Sequence, residues 1–277
     1  MCTRKMTEQN CVLSIFKSEE CVSQRTDRKC YMRNIKMTLE YDGARYQGWQ
    51  RLGKDEENNT VENKIREVVK QMTKENVEIN CGCRTEAGVN AHGQVINFKT
   101  KSDMKLYEIQ HYFNRYLPKD IAVLQVQEAD DRFHASLNAK SKVYSYRIIQ
   151  GDVPSVFDRK TSFYCFGELD VKAMKKAANA LVGKHDFKNF STAKKSKSTE
   201  KTITSIDIYS DGREVLITME ANDFLHNMAR LIVGTLIEVG KGKRLPGVVT
   251  EILSGEENAG IPAEPQGLFL EEVKYEV

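Results

Sequence analysis

Residues 33–41 read RNIKMTLEY, and the apolar side chains Ile35, Met37, Leu39 and Tyr41 occupy every second position. This alternation predicts a β-strand with one face on the core and one on solvent, because successive strand side chains point to opposite sides. The next two residues, an Asp-Gly pair, end the strand with a turn.

The chain beyond this strand continues with a recognisable order of elements. Thr60 can cap a helix whose apolar residues share one face, strand-like runs follow at 77–82 and 94–99, a second helix covers 106–117, and 121–129 alternates again. The order strand, helix, strand, strand, helix, strand is the ferredoxin-like split motif.

The second half of the chain repeats this order at a coarse level. The pattern predicts strands at 142–149, 203–209, 215–221 and 268–275, and helices at 171–182, 224–239 and 246–253. We therefore expect an α+β fold of two tandem ferredoxin-like split motifs that share an antiparallel sheet with flanking helices.

Three segments are expected along the chain. Residues 1–31 are polar, mixed in charge and without a sustained period, which predicts a disordered N-terminal extension. Met32 opens the first patterned segment and is a candidate biological start. Residues 32–138 would form the N-terminal α+β half and 139–277 the C-terminal half.

The composition excludes some classes of protein. The chain has 277 residues and a net charge of only +3, so local clusters of charge say more about partners than the total. Seven irregularly spaced cysteines predict free thiols in a reducing compartment. No apolar run approaches the ~18 residues that cross a membrane. We expect a cytoplasmic protein without a membrane segment.

Motifs for common cofactors are missing from the sequence. It contains no phosphate-binding glycine loop, no dinucleotide-binding glycine signature, no zinc-binding histidine pattern and no serine-hydrolase signature. We expect neither a cofactor nor a metal, which leaves carboxylate chemistry.

The candidate carboxylate is Glu86, in the stretch CRTEAGVNA at 83–91. Arg84 precedes it, and Gly88 follows it and permits a left-handed backbone or close approach of a ligand. A carboxylate held on such a loop beside a strand can act on a nucleoside extruded from its stack. The alternative is a solvated loop carboxylate.

Arg230 is the second candidate. The predicted helix at 224–239 is apolar almost all round, which predicts burial on both faces. A buried arginine needs an acidic partner, because an unpaired buried charge costs several kcal/mol. Glu86 is the candidate partner, and an arginine that reaches the surface is the alternative.

Candidate RNA-binding residues lie in the second half. Lys142 and Tyr144 share a predicted strand, where the lysine could contact phosphate and the tyrosine ring could stack on an extruded base. Lys194, Lys195 and Lys201 belong to a basic loop suited to phosphate. The alternatives are a core pair of Tyr144 with Tyr146 for the ring, and a solvated loop for the lysines.

These segments together resemble the tRNA pseudouridine synthase A family from about residue 33 to residue 275. Each motif is weak alone, but their order and spacing are specific. The motifs are YDGARYQGWQ at 41–50, RTEAGVNA at 84–91, the region 113–121, FHA at 133–135, KVYSY at 142–146, GKHDF at 183–187, the region 224–234, and GL at 267–268.

The resemblance implies an enzyme that isomerises uridine to pseudouridine in the tRNA anticodon stem-loop, at uridine 38, 39 or 40. It also implies a homodimer with tRNA as partner and without a cofactor or metal. The family's essential aspartate falls on Glu86, its partner arginines on Arg84 and Arg230, and its base-stacking tyrosine on Tyr144. Arg230 would orient the ionised carboxylate, and Arg84 would hold the flipped nucleotide.

This sequence departs from the family pattern at several places. Glu86 adds one methylene to the usual aspartate, Asn90 replaces the usual histidine, and His226, Asn227 and Ala229 are unusual before Arg230. Two alternatives therefore stay open: a catalytically impaired RNA-binding paralogue of the same fold, and an active synthase that acts on different RNA.

Overall fold

The computed structural model describes residues 32–50, 59–192 and 198–276. The predicted extension at 1–31 lies outside these ranges, as do Lys194 and Lys195. Residues Met32–Val277 form one compact unit, and their division into halves at 138/139 stays a prediction.

The first half follows the predicted order closely. Its elements are β1 Arg33–Tyr41, α1 Val61–Thr73, β2 Asn80–Cys81, β3 Asn90–Thr100, α2 Leu106–Tyr116 and β4 Ile121–Ala129. Thr60 caps α1 as predicted, because its side chain accepts a hydrogen bond from the Asn63 N–H at 3.3 Å. The predicted strand at 77–82 is shorter than expected, since only Asn80 and Cys81 pair with β3.

The second half contains two strands that the pattern did not predict. Its elements are β5 Ala139–Gly151, β6 Phe163–Phe166, α3 Val171–Asn179, β7 Gly183–Asp186, β8 Glu200–Asp211, β9 Glu214–Ala221, α4 Met228–Gly240, α5 Val248–Ser254 and β10 Leu268–Tyr275. The unpredicted strands are β6 and β7.

The start of α4 corrects the predicted helix at 224–239. Asn227 has a left-handed backbone, with φ 60° and ψ 8°, and the helix begins only at Met228. Residues 224 and 225 therefore precede the helix, and a turn at residues 226 and 227 leads into it. The helix itself is buried nearly all round, as its apolar pattern predicted, and only Arg230, Gly234 and Glu238 are half-buried.

The ten strands in the described parts of the chain belong to one sheet, in the order β4-β1-β3-β10-β5-β9-β8-β7, with β2 paired to β3 and β6 paired to β5. The predicted shared sheet is confirmed, and its pairs are antiparallel except β3–β10 and β5–β6. Strand β10 lies between β3 and β5 and pairs Phe269 with Asn90 on one side and Leu270 with Tyr144 on the other. It therefore joins the two predicted halves of the chain within one sheet.

The apolar side chains form one continuous core cluster along the sheet and its helices. The alternating residues Ile35, Met37 and Leu39 of β1 are fully buried, together with Phe98 of β3 and Phe113 of α2. Burial of this one face fixes the register of the strands, because a slip of one residue would expose the whole apolar set.

Candidate active site

The loop that carries Glu86 lies between β2 and β3 and is held by hydrogen bonds to β1 and to the segment after it. Thr85 is buried, and its hydroxyl hydrogen-bonds the Tyr41 hydroxyl at 2.8 Å, while its carbonyl accepts from the Trp49 N–H at 3.0 Å. Gly88 has φ +78°, a left-handed backbone that glycine adopts without the steric cost of a side chain. The alternating strand β1 and the segment after it thus support the loop directly.

The end of the loop is fixed by close backbone contact. A Cβ at Gly43 would lie 2.0 Å from the Val89 carbonyl oxygen, so only glycine allows this approach. Asn90, one of the departures from the family pattern, is buried; its Oδ1 accepts from the Gly43 N–H at 2.8 Å and its Nδ2 donates to the Gln266 carbonyl at 2.9 Å. Asn90 therefore connects the loop to two distant segments.

Glu86 is half-buried and reaches the beginning of α4. Its Oε1 accepts a hydrogen bond from the Asn227 backbone N–H at 2.8 Å. The N-terminus of a helix carries partial positive charge, which stabilises a carboxylate there. In the ranges that the structure describes, no other hydrogen bond or ion pair engages this carboxylate, so Oε2 is left for a ligand.

Arg230 does not form the predicted ion pair with Glu86 within the described residues. Its Nε donates to the Ala263 carbonyl at 2.7 Å, and its Nη1 donates to the Asn227 Oδ1 at 3.0 Å. Both acceptors are neutral, and the guanidinium is half-buried. Asn227 therefore links the two predicted partners: its backbone N–H hydrogen-bonds Glu86, and its side chain hydrogen-bonds Arg230.

Arg84 is exposed, two residues before Glu86 on the same loop. No ion pair or hydrogen bond holds its guanidinium within the described parts of the chain, so the charge is available to an incoming anion. The structure thus places Arg84 and Arg230 in different environments, one in solvent and one against the start of α4.

The Tyr144 ring is buried, whereas a ring that stacks on a base needs an exposed face. Its side chain is 4% exposed, its hydroxyl hydrogen-bonds Cys83 Sγ at 3.1 Å, and the Phe224 ring meets it edge-on at 5.0 Å between centroids. Burial raises the pKa of the Tyr144 hydroxyl well above its ordinary value. Tyr146 is fully buried and donates to the Glu264 carbonyl at 2.8 Å, as a core residue.

Two of the predicted RNA-binding lysines meet at Asp223, a residue that the sequence reasoning missed. Lys142 Nζ lies 2.5 Å from Asp223 Oδ1, and Lys201 Nζ lies 2.9 Å from Oδ2. Burial would raise the pKa of Asp223, but the two lysines outweigh it and lower that pKa. For Lys142 too, Cys83 and Asp223 outweigh burial and raise the pKa. The carboxylate therefore holds two positive charges side by side.

The segment 223–230 connects all of these groups. Asp223 forms ion pairs with the two lysines. Phe224 contacts Tyr144. Asn227 hydrogen-bonds both Glu86 and Arg230. The only sequence signal for Asn227 was its departure from the family pattern. An acid just before a helix, like Asp223, has no distinctive pattern because such acids commonly serve as caps.

The described residues include no group of three or more His, Cys, Asp or Glu side chains placed to hold a metal ion. None of the helices described here is both long and apolar enough to cross a membrane. Cys81, Cys83 and Cys165 are free thiols, and burial raises the pKa of Cys81 to about 12.

Comparison with known proteins identifies related chains over most of this sequence. The tRNA pseudouridine synthase A 2 of Bacillus anthracis is 44% identical over 248 residues, which cover 88% of this chain and all of that protein. The tRNA pseudouridine synthase A 2 of Clostridium perfringens is 42% identical over 247 residues with the same coverage.

Among solved structures, an H/ACA ribonucleoprotein bound to a substrate RNA matches 74% of this chain and 44% of its own at 11% identity. The TM-score of that match is 0.34, which is too low to support an inference.

The family profile described as "tRNA pseudouridine synthase" matches residues 37–137 and 177–276. The two matched regions contain the Glu86 loop and the start of α4, the two segments that meet at Asn227. The chain belongs to the tRNA pseudouridine synthase family.

Proposed function

We propose that this protein isomerises uridine to pseudouridine in the tRNA anticodon stem-loop, at position 38, 39 or 40, with Glu86 as the reacting carboxylate. The observation that carries the proposal is the hydrogen bond from the Asn227 N–H to Glu86 Oε1 at 2.8 Å. It holds one oxygen of the family loop's acid at the start of α4, so that the second oxygen can face a ribose.

The reaction needs no external reagent. The bond from N1 of the uracil to C1′ of the ribose breaks, the base turns, and a bond forms between C5 and C1′. The proton on C5 leaves to solvent and N1 gains a proton, so atoms and charge balance. Glu86 either attacks C1′ or removes the C2′ proton, and both routes require an ionised carboxylate beside the sugar.

Positive charge around Glu86 would hold the nucleotide. The exposed guanidinium of Arg84 can contact its phosphate, and Arg230 keeps positive charge near the carboxylate through Asn227. Lys142 and Lys201 stand side by side at Asp223 as a phosphate contact. Lys201 lies in strand β8 and not in the predicted basic loop. We assign Lys194 and Lys195, which precede it in the sequence, to the RNA backbone as well.

The extruded base is proposed to stack on Tyr144. The ring is 4% exposed and Phe224 meets it edge-on, so stacking requires the packing around Tyr144 to open when RNA binds. Base flipping by enzymes commonly involves such rearrangement, because binding energy from the RNA backbone is available to drive it.

The working form is proposed to be a cytoplasmic homodimer that acts on tRNA without a metal or cofactor. Sedimentation of the purified protein with and without tRNA measures the oligomeric state. A monomer under both conditions would refute the proposed dimer and would leave the proposed isomerisation of uridine unaffected.

The test uses tRNA that carries tritium on C5 of uridine. Wild-type protein should release tritium and form pseudouridine, and Glu86→Gln, which keeps the shape but removes the charge, should release none. Transcripts with cytidine at position 38, 39 or 40 in turn then locate the target. No release from any tRNA by the wild-type protein would refute the proposal.

A second function is favoured by the extra methylene of Glu86 and the burial of Tyr144: an RNA-binding paralogue without activity. Such a protein would bind tRNA with the same affinity in wild-type and Glu86→Gln form, and neither would release tritium. Release by the wild-type protein from another RNA class, and not from tRNA, would indicate a synthase with a different substrate.

A further inference from the structure

We propose that Asn227 is a positioning residue that adapts this site to a glutamate, so that Glu86 works here where an aspartate would work less well. The inference rests on the proposed role of Glu86 as the reacting carboxylate. The alternative, suggested by the family pattern, is that the extra methylene of Glu86 impairs catalysis.

The backbone of Asn227 is the first argument. Within the described residues, only two residues other than glycine have a positive φ: Lys74 at 59° and Asn227 at 60°. Such a conformation is unfavourable for residues other than glycine, and asparagine tolerates it better than most. It persists only where the surroundings hold it, and such positions cluster at functional sites. At Asn227 this conformation places the N–H against the Glu86 carboxylate.

The contacts of the Asn227 side chain are the second argument. Its Oδ1 accepts from Arg230 Nη1 at 3.0 Å, and its Nδ2 donates to Thr192 Oγ1 at 2.8 Å. Thr192 also hydrogen-bonds the neighbouring His226 Nδ1 at 2.6 Å. The side chain therefore holds the turn from two directions, while the backbone N–H remains directed at Glu86.

The length of Glu86 is the third argument. An aspartate on the same backbone would withdraw the carboxylate by about one C–C bond, roughly 1.5 Å. The 2.8 Å contact to the Asn227 N–H would then exceed the range of a hydrogen bond, about 3.2 Å. Since misplacement of a catalytic group by ~1 Å can cost ~10²-fold in rate, the shorter acid should be slower here.

The experiment measures kcat and KM of the full chain on tRNA for the wild type and five variants. Glu86→Gln tests the proposed function and should be inactive. Glu86→Asp should lower kcat about 10- to 100-fold with KM within about two-fold of wild type, because the carboxylate is misplaced while RNA binding is intact. Asn227→Gly keeps the left-handed backbone and the N–H but removes both side-chain contacts, and should lower kcat about 10-fold.

The matched control is Lys74→Gly, which replaces the other side chain with a positive φ, at the end of α1 and outside the proposed machinery. Its kcat should equal that of the wild type. Thermal unfolding of each variant identifies loss of fold. In the double variant Glu86→Asp with Asn227→Gly, the loss should be smaller than the product of the single losses, because both act on one contact.

The outcomes separate the two proposals. A Glu86→Gln protein as active as the wild type would refute the role of Glu86 itself. An inactive Glu86→Gln together with a Glu86→Asp as fast as the wild type, or faster, would overturn the positioning role and leave the proposed function intact. Wild-type kcat in a folded Asn227→Gly would also overturn it.

Discussion

The two ends of the segment 223–230 hold the site by different physical means. At the Asp223 end, one carboxylate is shared by Lys142 and Lys201 through ion pairs. At the Asn227 end, a backbone N–H and an amide oxygen hold Glu86 and Arg230, which do not pair with each other within the described residues. The Asp223 end therefore holds lysine charges by ion pairs, and the Asn227 end fixes the positions of two side chains by hydrogen bonds.

This difference suggests a division of labour in the proposed reaction. Ion pairs that are partly exposed weaken with salt and respond to pH, and their lysines can exchange Asp223 for a phosphate. A hydrogen bond from a fixed backbone amide has one geometry and little freedom. Variants at the Asn227 end should therefore change kcat, and variants at the Asp223 end should change stability and RNA affinity.

Among the variants that compare the two ends of this segment, the largest effect is expected for Arg230→Ala. Loss of the guanidinium removes the hydrogen bonds to the Ala263 carbonyl and to Asn227 and frees the turn that holds Glu86. We expect kcat to fall about 10²-fold with little change in KM. Steady-state kinetics on tRNA measure both constants.

The companion variant Arg230→Lys keeps the charge but cannot reach both acceptors at once, and should recover only part of the rate. A raised KM with unchanged kcat in Arg230→Ala would contradict the assignment and place Arg230 with the groups that hold RNA.

Asp223→Asn is expected to destabilise the protein at pH 7. Lys142, with 13% of its side chain exposed, would lose its anionic partner, and such charged hydrogen bonds contribute about 1.5–3 kcal/mol. Asp223 is 41% exposed, so the lower end of this range applies. Urea unfolding measures the difference, with Asp207→Asn, an exposed acid of β8, as the control.

The same variant has a defined pH dependence. The folded-state pKa of Asp223 is lowered, so its stabilisation is complete above the unfolded value of 3.8 and disappears as pH falls through the folded value. The wild type and Asp223→Asn should therefore converge in acid. A difference that grows below pH 4 would show that Asp223 acts through something other than its charge.

A smaller effect is expected for Lys142→Gln. Removal of one phosphate contact should weaken tRNA binding about ten-fold and reduce the slope of log affinity against log salt by about 1. Filter binding at several salt concentrations measures both. Lys172→Gln, an exposed lysine of α3, is the matched control. An unchanged salt slope in Lys142→Gln would remove this lysine from the RNA interface.

The smallest effect is expected for Tyr144→Phe. The change removes only the contact between the hydroxyl and Cys83 Sγ and keeps the ring. We expect a loss of about 1 kcal/mol in stability at most and an unchanged kcat. Thermal unfolding and tritium release measure these. A strong drop in kcat without a change in stability would assign the hydroxyl, rather than the ring, to the chemistry.

Most of the fold could be predicted because its signals are local. The alternation in β1 and the apolar faces of α1 and α4 follow from periodicity alone. The short strands β6 and β7 could not be predicted in this way. In β7, Gly183–Asp186, no side chain is fully buried, and its pairing depends on the neighbouring strand β8 rather than on a pattern of its own.

Some residues of the candidate site could be proposed from the sequence, but Asp223 and the contacts between the residues could not. Glu86 and Arg230 stand out by residue type and surroundings, whereas the link between them depends on a left-handed backbone at Asn227 that only tertiary contacts hold. The pairing of Lys142 with Lys201 through Asp223 likewise depends on strands β5 and β8 meeting the turn before α4. No local pattern encodes either contact.

The central position of β10 has a consequence for how the protein is made. Among the strands that the structure describes, β10 is the last in sequence, yet it lies between β3 and β5. Just before it, the Gln266 carbonyl accepts a hydrogen bond from Asn90, 176 residues earlier. During synthesis, the stretches of β3 and β5 that pair with β10 lack this partner until residues 268–275 have left the ribosome. The loop of Glu86 gains this support only then, so the nascent chain cannot assemble its site before residues 268–275 have been made.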